Sequence, residues 1–196
     1  MDTNTALHRA SRAPARLSVL VGMALAFLAI AASPASAQRY DRSRVRFGIS
    51  GVGGAFLGAA HGGMGGISAR VGVQVNDVFA VYIQGHGLIG QFFPTPDDHL
   101  AGFAFHTLMF ELTLGNAVQL GVGPSLDFVW GCSDSYQPSC TGTGPYLGGD
   151  ARVAFLIGRE HPTRRSGVAF SIDVHPTWFG EDASVAVLFG IGYELY

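Results

Sequence analysis

The sequence predicts an all-β fold: an eight-stranded antiparallel up-and-down β-barrel that crosses a membrane, preceded by an N-terminal signal peptide. The 196-residue chain is 48% hydrophobic and only 13% charged, whereas soluble domains carry about 25% charged residues. After residue 37 there is no apolar run of the ~18 residues that a membrane helix needs. The same region alternates apolar with polar or small residues, and this period of two is the mark of β-strands.

The first 37 residues have the layout of an export signal. Three arginines and one acid precede a continuous run of apolar or small residues, Leu17–Ala32, and the small residues Ala35 and Ala37 follow in A-x-A spacing. A positive segment, an apolar core and such a cleavage site define a secretory signal peptide; the alternative is an uncleaved N-terminal anchor. The chain is predicted to comprise a signal peptide, a short lead and a barrel domain, at residues 1–37, 38–43 and 44–196.

The first four strands differ in how clearly they alternate. Strand one opens with alternating Val, Phe and Ile and then becomes glycine-rich, and strand two sets Ile, Ala and Val against Ser, Arg, Gly and Gln. Strand three sets Phe, Val and Ile against Tyr, Gln and His, and strand four sets Leu and Phe against Thr and Glu. Their predicted bounds are Arg44–Leu57, Ile67–Val75, Val78–Gly90 and Gly102–Leu114.

The last four strands repeat the pattern. Each sets large apolar residues against a face that holds Gly, Ser, Asp, Arg, His or Glu. Their predicted bounds are Val118–Trp130, Gly144–Gly158, Val168–Trp178 and Ala183–Tyr196. Pro124 and Pro176 lie on the apolar face, and because proline removes a ladder donor, local bulges are expected there.

The predicted connections are of two kinds. Tight turns at Asn76-Asp77 and Gly115-Asn116 follow strands two and four, and both suit hairpins. Longer loops follow strands one, three and five, at His61–Gly66, Phe93–Ala101 and Gly131–Gly144. The link Glu160–Ser166 after strand six and the short link Gly180–Asp182 after strand seven depart from this rule. Tight turns at one end and longer loops at the other suit an outer-membrane barrel.

The less apolar face is predicted to line the barrel interior. It offers three positive and five negative side chains: Arg46, Arg70, Glu111, Asp127, Asp150, Arg152, Asp173 and Glu194. Such charges would pair inside a narrow barrel, which would then be filled by side chains rather than form an open pore. The apolar face would meet lipid, and aromatic residues near the strand ends would form two interfacial girdles. The predicted girdle residues are Phe92, Phe93, Phe103, Phe105, Trp130, Trp178 and Phe179 on the long-loop side, and Phe47, Phe79, Tyr193 and Tyr196 on the short-turn side. The alternative is a soluble periplasmic, lipocalin-like barrel with its apolar face inside around an apolar ligand.

Residues 44–196 resemble the small eight-stranded outer-membrane barrels of the OmpA-like and opacity-like group. The local motif is the ending GIGYELY, a Gly-aromatic strand with an aromatic last residue. The resemblance implies location in the bacterial outer membrane, contact with its lipid, and recognition of the C-terminal strand by the barrel-assembly machinery. Glu194 departs from the family, which prefers an apolar side chain there, and the apolar set is one residue out of register with Tyr196.

The only two cysteines, Cys132 and Cys140, are separated by seven residues in a polar stretch. In an exported protein they are predicted to form a disulfide in the third long loop. The alternative is a pair of free thiols; two cysteines alone do not supply the four ligands of a metal site.

No catalytic motif is present. The sequence lacks G-x-S-x-G, H-E-x-x-H and a P-loop, and its glycine-rich runs are not followed by a helix. All twelve basic residues are arginines and the net charge is −2, which argues against a nucleic-acid partner. No cofactor or metal is predicted, and His86 and His175 are expected to be hydrogen-bonded inside the barrel.

A Ser–His–acid set of the kind found in lipid-A-modifying barrels could assemble near the loop rim. The candidates are His61, Asp97, Asp98, His99, His106, Ser133, Asp134 and Ser135, and they are interpreted as solvated loop residues. The predicted function is therefore a small outer-membrane barrel with a structural or surface-interaction role and an unknown surface partner. The alternatives are a lipid-A-modifying enzyme of the same fold and the soluble ligand-binding barrel.

Overall fold

The computed structural model describes residues 44–58, 61–93, 100–115, 117–133, 139–161 and 164–195. Eight strands fill these ranges: β1 (Arg44–Gly58), β2 (His61–Gln74), β3 (Phe79–Phe93), β4 (Leu100–Leu114), β5 (Val118–Ser133), β6 (Ser139–His161), β7 (Arg164–Phe179) and β8 (Asp182–Leu195). The predicted signal peptide and lead lie outside the described residues. Within the described part of the chain, no helix is long and apolar enough to span a membrane.

Each strand pairs antiparallel with the next, and β1 also pairs with β8, so that the sheet closes into a barrel. Closure begins at Phe47 opposite Leu195 and continues to Gly58 opposite Ser184. The predicted all-β, eight-stranded up-and-down barrel is therefore confirmed. The barrel has two ends, which we call the terminal end, where β1 begins and β8 ends, and the loop end, where β1 ends and β8 begins.

The strands are longer than the sequence predicts, most clearly in β2. The predicted loop His61–Gly66 is instead part of β2 and pairs with both β1 and β3. Glycine is a poor strand former, so the run HGGMGG looks like a loop in the sequence. Its role is steric: a methyl group at Gly66 would collide with the carbonyl of Gly87 on β3.

The other predicted loops are also shorter in the structure. β3 and β4 take in the two ends of the predicted loop Phe93–Ala101, and β5 and β6 extend into Gly131–Gly144. The predicted link Glu160–Ser166 is largely β-structure, with Glu160 opposite Arg165 in the ladder. Polar and glycine-rich composition led to the wrong boundaries here, because pairing with a neighbouring strand overrides local propensity.

The two prolines do not cause the bulges that the sequence predicts. The β4–β5 ladder is interrupted near Pro124 but resumes in the same register, and the β6–β7 ladder does likewise near Pro176. Loss of one N–H donor opens the ladder without requiring an extra residue. The register shift of the β5–β6 pair lies instead between Asp127 and Val129.

The outer face of the barrel is apolar. Val45, Leu147 and Ile157 are 74%, 68% and 67% exposed, and large apolar side chains on all eight strands are exposed in the same way. A barrel in water would bury these side chains, whereas a bilayer favours them on the outside. The structure therefore excludes the alternative with the apolar face inside.

The aromatic girdles are only partly as predicted. Trp130 and Trp178 face outward near the loop end, whereas Phe103 and Phe105 are only 1% exposed and lie inside the barrel. Phe179 is also turned inward and packs against them. The prediction used only the position of these rings near the end of the strand. Alternate residues of a strand point to the same face, and Phe103 and Phe105 alternate in step with the inward-facing Thr107 and Glu111, so they belong inside the barrel. Phe47 and Tyr193 are exposed near the terminal end.

The barrel interior as the candidate functional site

The interior is arranged in three layers, which follow one another along β3. Tyr82 belongs to an arginine layer near the terminal end, Gln84 and His86 to a histidine–aspartate layer in the middle, and Leu88 to an apolar plug near the loop end. This order follows from the strand period, because alternate residues of β3 point inward. The structure places all eight predicted interior charges inside the barrel, each at most 4% exposed.

The arginine layer comprises three arginines, two glutamates and their polar neighbours: Arg46, Arg70, Arg152, Glu111, Glu194, Gln119 and Tyr82. Arg46 contacts Glu111 at 2.6 Å and Glu194 at 2.8 Å, and Arg152 contacts the same two carboxylates at 3.0 and 2.7 Å. Glu111 therefore bridges two arginines, and Glu194, which also lies 3.3 Å from Arg70, contacts all three. Buried charges of this kind need partners, and here they have them on opposite walls of the barrel.

Neutral side chains complete the arginine layer. The hydroxyl of Tyr82 donates to Glu111 at 2.6 Å, and its ring lies 4.9 Å from the guanidinium carbon of Arg46. Gln119 donates to Glu194 at 3.0 Å and accepts from Arg152 at 3.1 Å. Sequence reasoning placed Tyr82 and Gln119 on the polar face but gave them no role, because the partner of an inward residue depends on the register around the whole barrel.

The histidine–aspartate layer comprises Gln84, His86, Asp127, Asp150, Asp173 and His175. The Nε2 of His175 lies 3.0 Å from Oδ2 of Asp127, and its Nδ1 lies 3.6 Å from Oδ2 of Asp150. The Nε2 of His86 lies 3.5 Å from the same Asp150 oxygen. The ring of Phe105 stacks on His175 at 4.0 Å and so joins this layer to the plug above it.

Four side chains of the interior resemble the nucleophile, base and acid of a catalytic set: Ser125, His175, and the two aspartates that contact His175, Asp127 and Asp150. Ser125 Oγ lies 3.3 Å from His175 Nε2, the nitrogen that would have to accept the serine proton. The same nitrogen already contacts Asp127 Oδ2 at 3.0 Å. Thr177 also donates to Asp127 at 2.6 Å. All four side chains are buried beneath Phe105, so the described contacts suit a packed polar core and not catalysis.

The loop-rim candidates are not brought together where the structure describes them. His61 begins β2, whereas His106 lies in the middle of β4 on the outer face, with its ring 6.0 Å from Phe128. The expectation that His106 lies at the rim is therefore wrong, because β4 begins already at Leu100. Asp97, Asp98, His99, Asp134 and Ser135 lie outside the described residues, as does the side chain of Ser133.

The backbone of Cys132 lies directly opposite that of Cys140 in the β5–β6 ladder. The two side chains lie outside the described part of the chain, so the disulfide stays a prediction.

Three of the described side chains could hold a metal ion. His86, Asp150 and Asp173 each offer one ligand atom, and these atoms all lie within 4.8 Å of one another. The sequence analysis assigned no metal ligands, since the three residues are far apart in the chain and only the closed barrel brings β3 opposite β6 and β7.

A closed eight-stranded barrel with an apolar outer surface and a packed polar interior defines the class of small outer-membrane β-barrels. No family model matches the chain, and no curated protein matches it in sequence. Among solved structures the chain is similar to Neisserial surface protein A (NspA), with 15% identity and a TM-score of 0.52 over 79% of this chain and 98% of that one.

The chain is also similar to Ail, the attachment invasion locus protein of Yersinia pestis, with 12% identity and a TM-score of 0.52 over 79% of this chain and 99% of that one. A structure of Ail in complex with the heparin analogue sucrose octasulfate gives 12% identity and a TM-score of 0.51, over 78% and 99% of the two chains. The likeness is one of fold. Together with the apolar outer surface it places this barrel in the bacterial outer membrane.

Proposed function

We propose that the protein is a non-conducting outer-membrane barrel that acts at the cell surface, through contacts made by its loop end. The observation that carries the proposal is the apolar plug, which closes the interior near that end. It consists of Val52, Phe56, Met64, Leu88, Ala101, Phe103, Phe105, Ala186 and Leu188, with Val129 and Phe179 packed against them. An eight-stranded barrel is only just wide enough for such side chains.

The plug is held together by aromatic contacts across the barrel. The ring of Phe56 lies 5.4 Å from that of Phe103, which lies 6.0 Å from that of Phe105. Phe179 reaches Phe56 at 6.5 Å and Tyr146 at 4.8 Å. Below the plug, the two polar layers fill the remaining section. A solute would have to displace all three layers, which argues against a transport role.

The orientation of the barrel supports a surface role for the loop end. Both ends of the barrel domain are at the terminal end, and outer-membrane barrels keep their short turns in the periplasm and their longer connections outside. After export and removal of residues 1–37, the barrel-assembly machinery would recognise β8. Glu194 stands where the resembled family prefers an apolar residue, but it points inward to the arginine layer, while its neighbour Tyr193 faces the lipid. The outer face of β8 therefore stays apolar, as recognition of this strand would require.

The charge of the loop end indicates the kind of partner. The connections at this end carry four acids and no arginine, with the acids at Asp97, Asp98, Asp134 and Glu181, and Asp182 follows as the first residue of β8. Ail is described in complex with a heparin analogue, but an acidic loop end would repel such a polyanion. We therefore expect the partner of this protein to be a basic surface.

The lipid-A-modifying alternative gains no support from the described residues. His106 faces the lipid, but its cross-strand partners are Gly85 and Leu126, so neither neighbour offers a nucleophile or an acid. We therefore favour the contact role over an enzymatic one.

Planar-bilayer recordings test the non-conducting barrel. We expect the folded wild-type protein, recognised by its heat-dependent migration on SDS gels, to give no steady, large conductance. A wide porin inserted in the same bilayer is the positive control. Steady, large conductance from the folded protein would show that the side chains leave a pathway and would overturn the proposal.

A further inference from the structure

The middle of the barrel contains an unusual meeting of hydrogen-bond acceptors around one amide group. Gln84 Nε2 lies 3.0 Å from Asp150 Oδ2, 3.1 Å from Asp173 Oδ1 and 2.7 Å from His86 Nε2. All four side chains are at most 4% exposed. The carboxylates come from β6 and β7, and Gln84 and His86 come from β3 on the facing wall.

The protons available do not satisfy this arrangement. An amide nitrogen carries two hydrogens and here faces three acceptors, so one of them is left without a proton. If His86 instead carries its hydrogen on Nε2, that hydrogen meets the amide donor at 2.7 Å. Rotating the amide by half a turn would place Gln84 Oε1 against two carboxylate oxygens. Each choice leaves a repulsive or unmet contact in a buried place, which is costly.

Unpartnered atoms surround the same point. Gln84 Oε1, His86 Nδ1, Asp150 Oδ1 and His175 Nδ1 are buried and have no hydrogen-bond partner among the described residues. His175 Nδ1 is directed at the cluster, 3.6 Å from Asp150 Oδ2. The Gln84 oxygen and the two histidine nitrogens are an observation independent of the carboxylates, and they indicate that the polar groups are arranged for an additional occupant.

The charges of this layer are also unbalanced. Glu111 and Glu194 contact the arginines of the arginine layer at 3.3 Å or less. Among the described residues, the three aspartates of the middle layer contact one arginine, Arg152, whose Nε lies 3.6 Å from Asp173. Arg70 acts on Asp173 from a longer distance, and the other ionisable groups that contact these aspartates are the two histidines. A buried excess of negative charge is unfavourable unless a cation compensates it.

We propose that the histidine–aspartate layer binds one divalent transition-metal cation, for which Zn²⁺ is the probe. The ligands are His86 Nε2, Asp150 Oδ2 and Asp173 Oδ1, with Gln84 Oε1 as the fourth after a half-turn of its amide. One imidazole and three oxygens form a donor set that Zn²⁺ accepts in tetrahedral geometry, at about 2.0–2.2 Å from each ligand. In a tetrahedron of this size the ligand atoms lie about 3.4 Å apart. The His86, Asp150 and Asp173 atoms already lie within 4.8 Å of one another, so they would close in around the cation by up to about 1.4 Å.

The cation would resolve the mismatch of protons around Gln84 and the excess of negative charge together. Rotation of Gln84 turns its oxygen from a repulsive neighbour of the carboxylates into a ligand, and the positive charge offsets the excess of aspartates. Since the site is sealed by the plug on one side and the arginine layer on the other, the metal enters when the barrel folds. It then ties β3 to β6 and β7 across the interior.

The test uses the full chain, extracted from outer membranes in mild detergent, unfolded with chelator and refolded with Zn²⁺. After gel filtration, elemental analysis should find one zinc per folded wild-type barrel. H86Q and D173N should retain at least tenfold less zinc than wild type. H106Q, which removes a histidine from the outer face, is the matched control and should retain as much as wild type.

Q84E tests the proposal by a gain of stability with Zn²⁺, whereas H86Q and D173N test it by a loss of bound zinc. It replaces the proposed amide ligand by a carboxylate, so Q84E should unfold at a lower urea concentration than wild type without metal and recover most of that loss when refolded with Zn²⁺. Only proteins with folded, heat-dependent migration are compared. Wild type that folds with Zn²⁺ present but retains none would overturn the proposal, as would H86Q and D173N barrels that hold as much zinc as H106Q. Either result would mean a polar core without a metal, or adventitious binding elsewhere.

Discussion

Arg152 shows how much a single interior side chain is expected to contribute to stability. It contacts Glu111 at 3.0 Å and Glu194 at 2.7 Å, and it is 1% exposed. Arg152→Ala would leave both carboxylates short of a partner in a buried layer, so the free energy of unfolding should fall by about 3–5 kcal/mol. Urea titration in lipid vesicles, with the folded fraction read from SDS-gel migration, measures this loss.

The control for Arg152 is Arg44→Ala, since Arg44 lies half-buried at the edge of the terminal end. A partly exposed ion-pairing group contributes about 0–1 kcal/mol. Equal losses in the two variants would mean that water screens the interior, and would contradict the dry arginine layer described above.

Two glycines of β1 form a second matched pair at the residue scale. A methyl group at Gly54 would collide with the carbonyl of Val187 on β8, whereas a methyl group at Gly51 would meet nothing within 4 Å. Because β1 and β8 close the barrel, Gly54→Ala should strain the closing ladder and cost about 1–3 kcal/mol. Gly51→Ala should change stability by no more than ~0.5 kcal/mol. Equal urea midpoints for the two variants would contradict the close approach of the strands at Gly54.

The sequence predicts which side chains point into the barrel, but it does not predict which of them contact each other. Alternation assigned Arg46, Glu111 and Glu194 to the interior, and the structure places them there. Which of them meet depends on the stagger of eight strands, and no local pattern records that stagger. The acceptor cluster around Gln84 was invisible for the same reason, since its members come from three strands.

At the scale of elements, strand existence was predicted correctly and strand ends were not. The glycine-rich start of β2 looks like a loop by propensity, yet its glycines allow β2 to approach β3 closely. The ends of β6 also extend beyond the prediction: β6 runs from Ser139 to His161, the longest strand of the barrel. Cross-strand pairing decides these boundaries, and pairing is not a local property of the sequence.

The β5–β6 hairpin is the element in which the disulfide prediction is tested. Cys132 and Cys140 are directly opposite in the ladder, and opposite residues of antiparallel strands lie about 4.5–5.5 Å apart at Cα, a separation that a disulfide can span. Mass spectrometry after alkylation without reductant should therefore find no free thiol in the exported protein.

Changing both cysteines to alanine should leave the barrel folded. The bond closes a short loop and adds at most about 2–3 kcal/mol, and it lies at the loop end of the hairpin, where it does not join one wall of the barrel to another. Heat-dependent migration of the double variant should match that of wild type. Alkylated cysteines in the wild-type protein, or a double variant that fails to fold, would each contradict this assignment.

For the whole molecule, the fold could be predicted because its physical requirement is simple. A chain that spans a bilayer with strands must close the sheet, face lipid with apolar residues and fill a narrow interior, and the period of two expresses these conditions along the sequence. The apolar plug was not foreseen, because Phe103 and Phe105 were assigned to a girdle. The plug supports the non-pore prediction, which had rested on the narrow interior of an eight-stranded barrel and on its polar and charged side chains.

The distribution of charge over the molecule leads to a prediction about its partner. The loop-end connections carry four acids and no arginine, so bacterial cells that produce the protein should bind beads coated with a basic polypeptide better than beads coated with heparin. The triple variant D97N/D98N/D134N should lose most of the added binding to basic beads. D77N is the matched control, because Asp77 lies in the β2–β3 turn at the terminal end and should be hidden in the periplasm.

Because the compared strains differ only in this protein, bead binding caused by other molecules of the cell envelope is the same in both and drops out of the difference. The difference between wild-type and triple-variant cells should shrink as salt is added, since charge attraction between exposed groups is screened within about 10 Å at 0.1 M ionic strength. If D77N lowers binding as much as the triple variant, the terminal end faces outward and the orientation is reversed. If neither variant changes binding, the acids of the loop end do not select the partner, and the proposal of a basic partner surface is wrong.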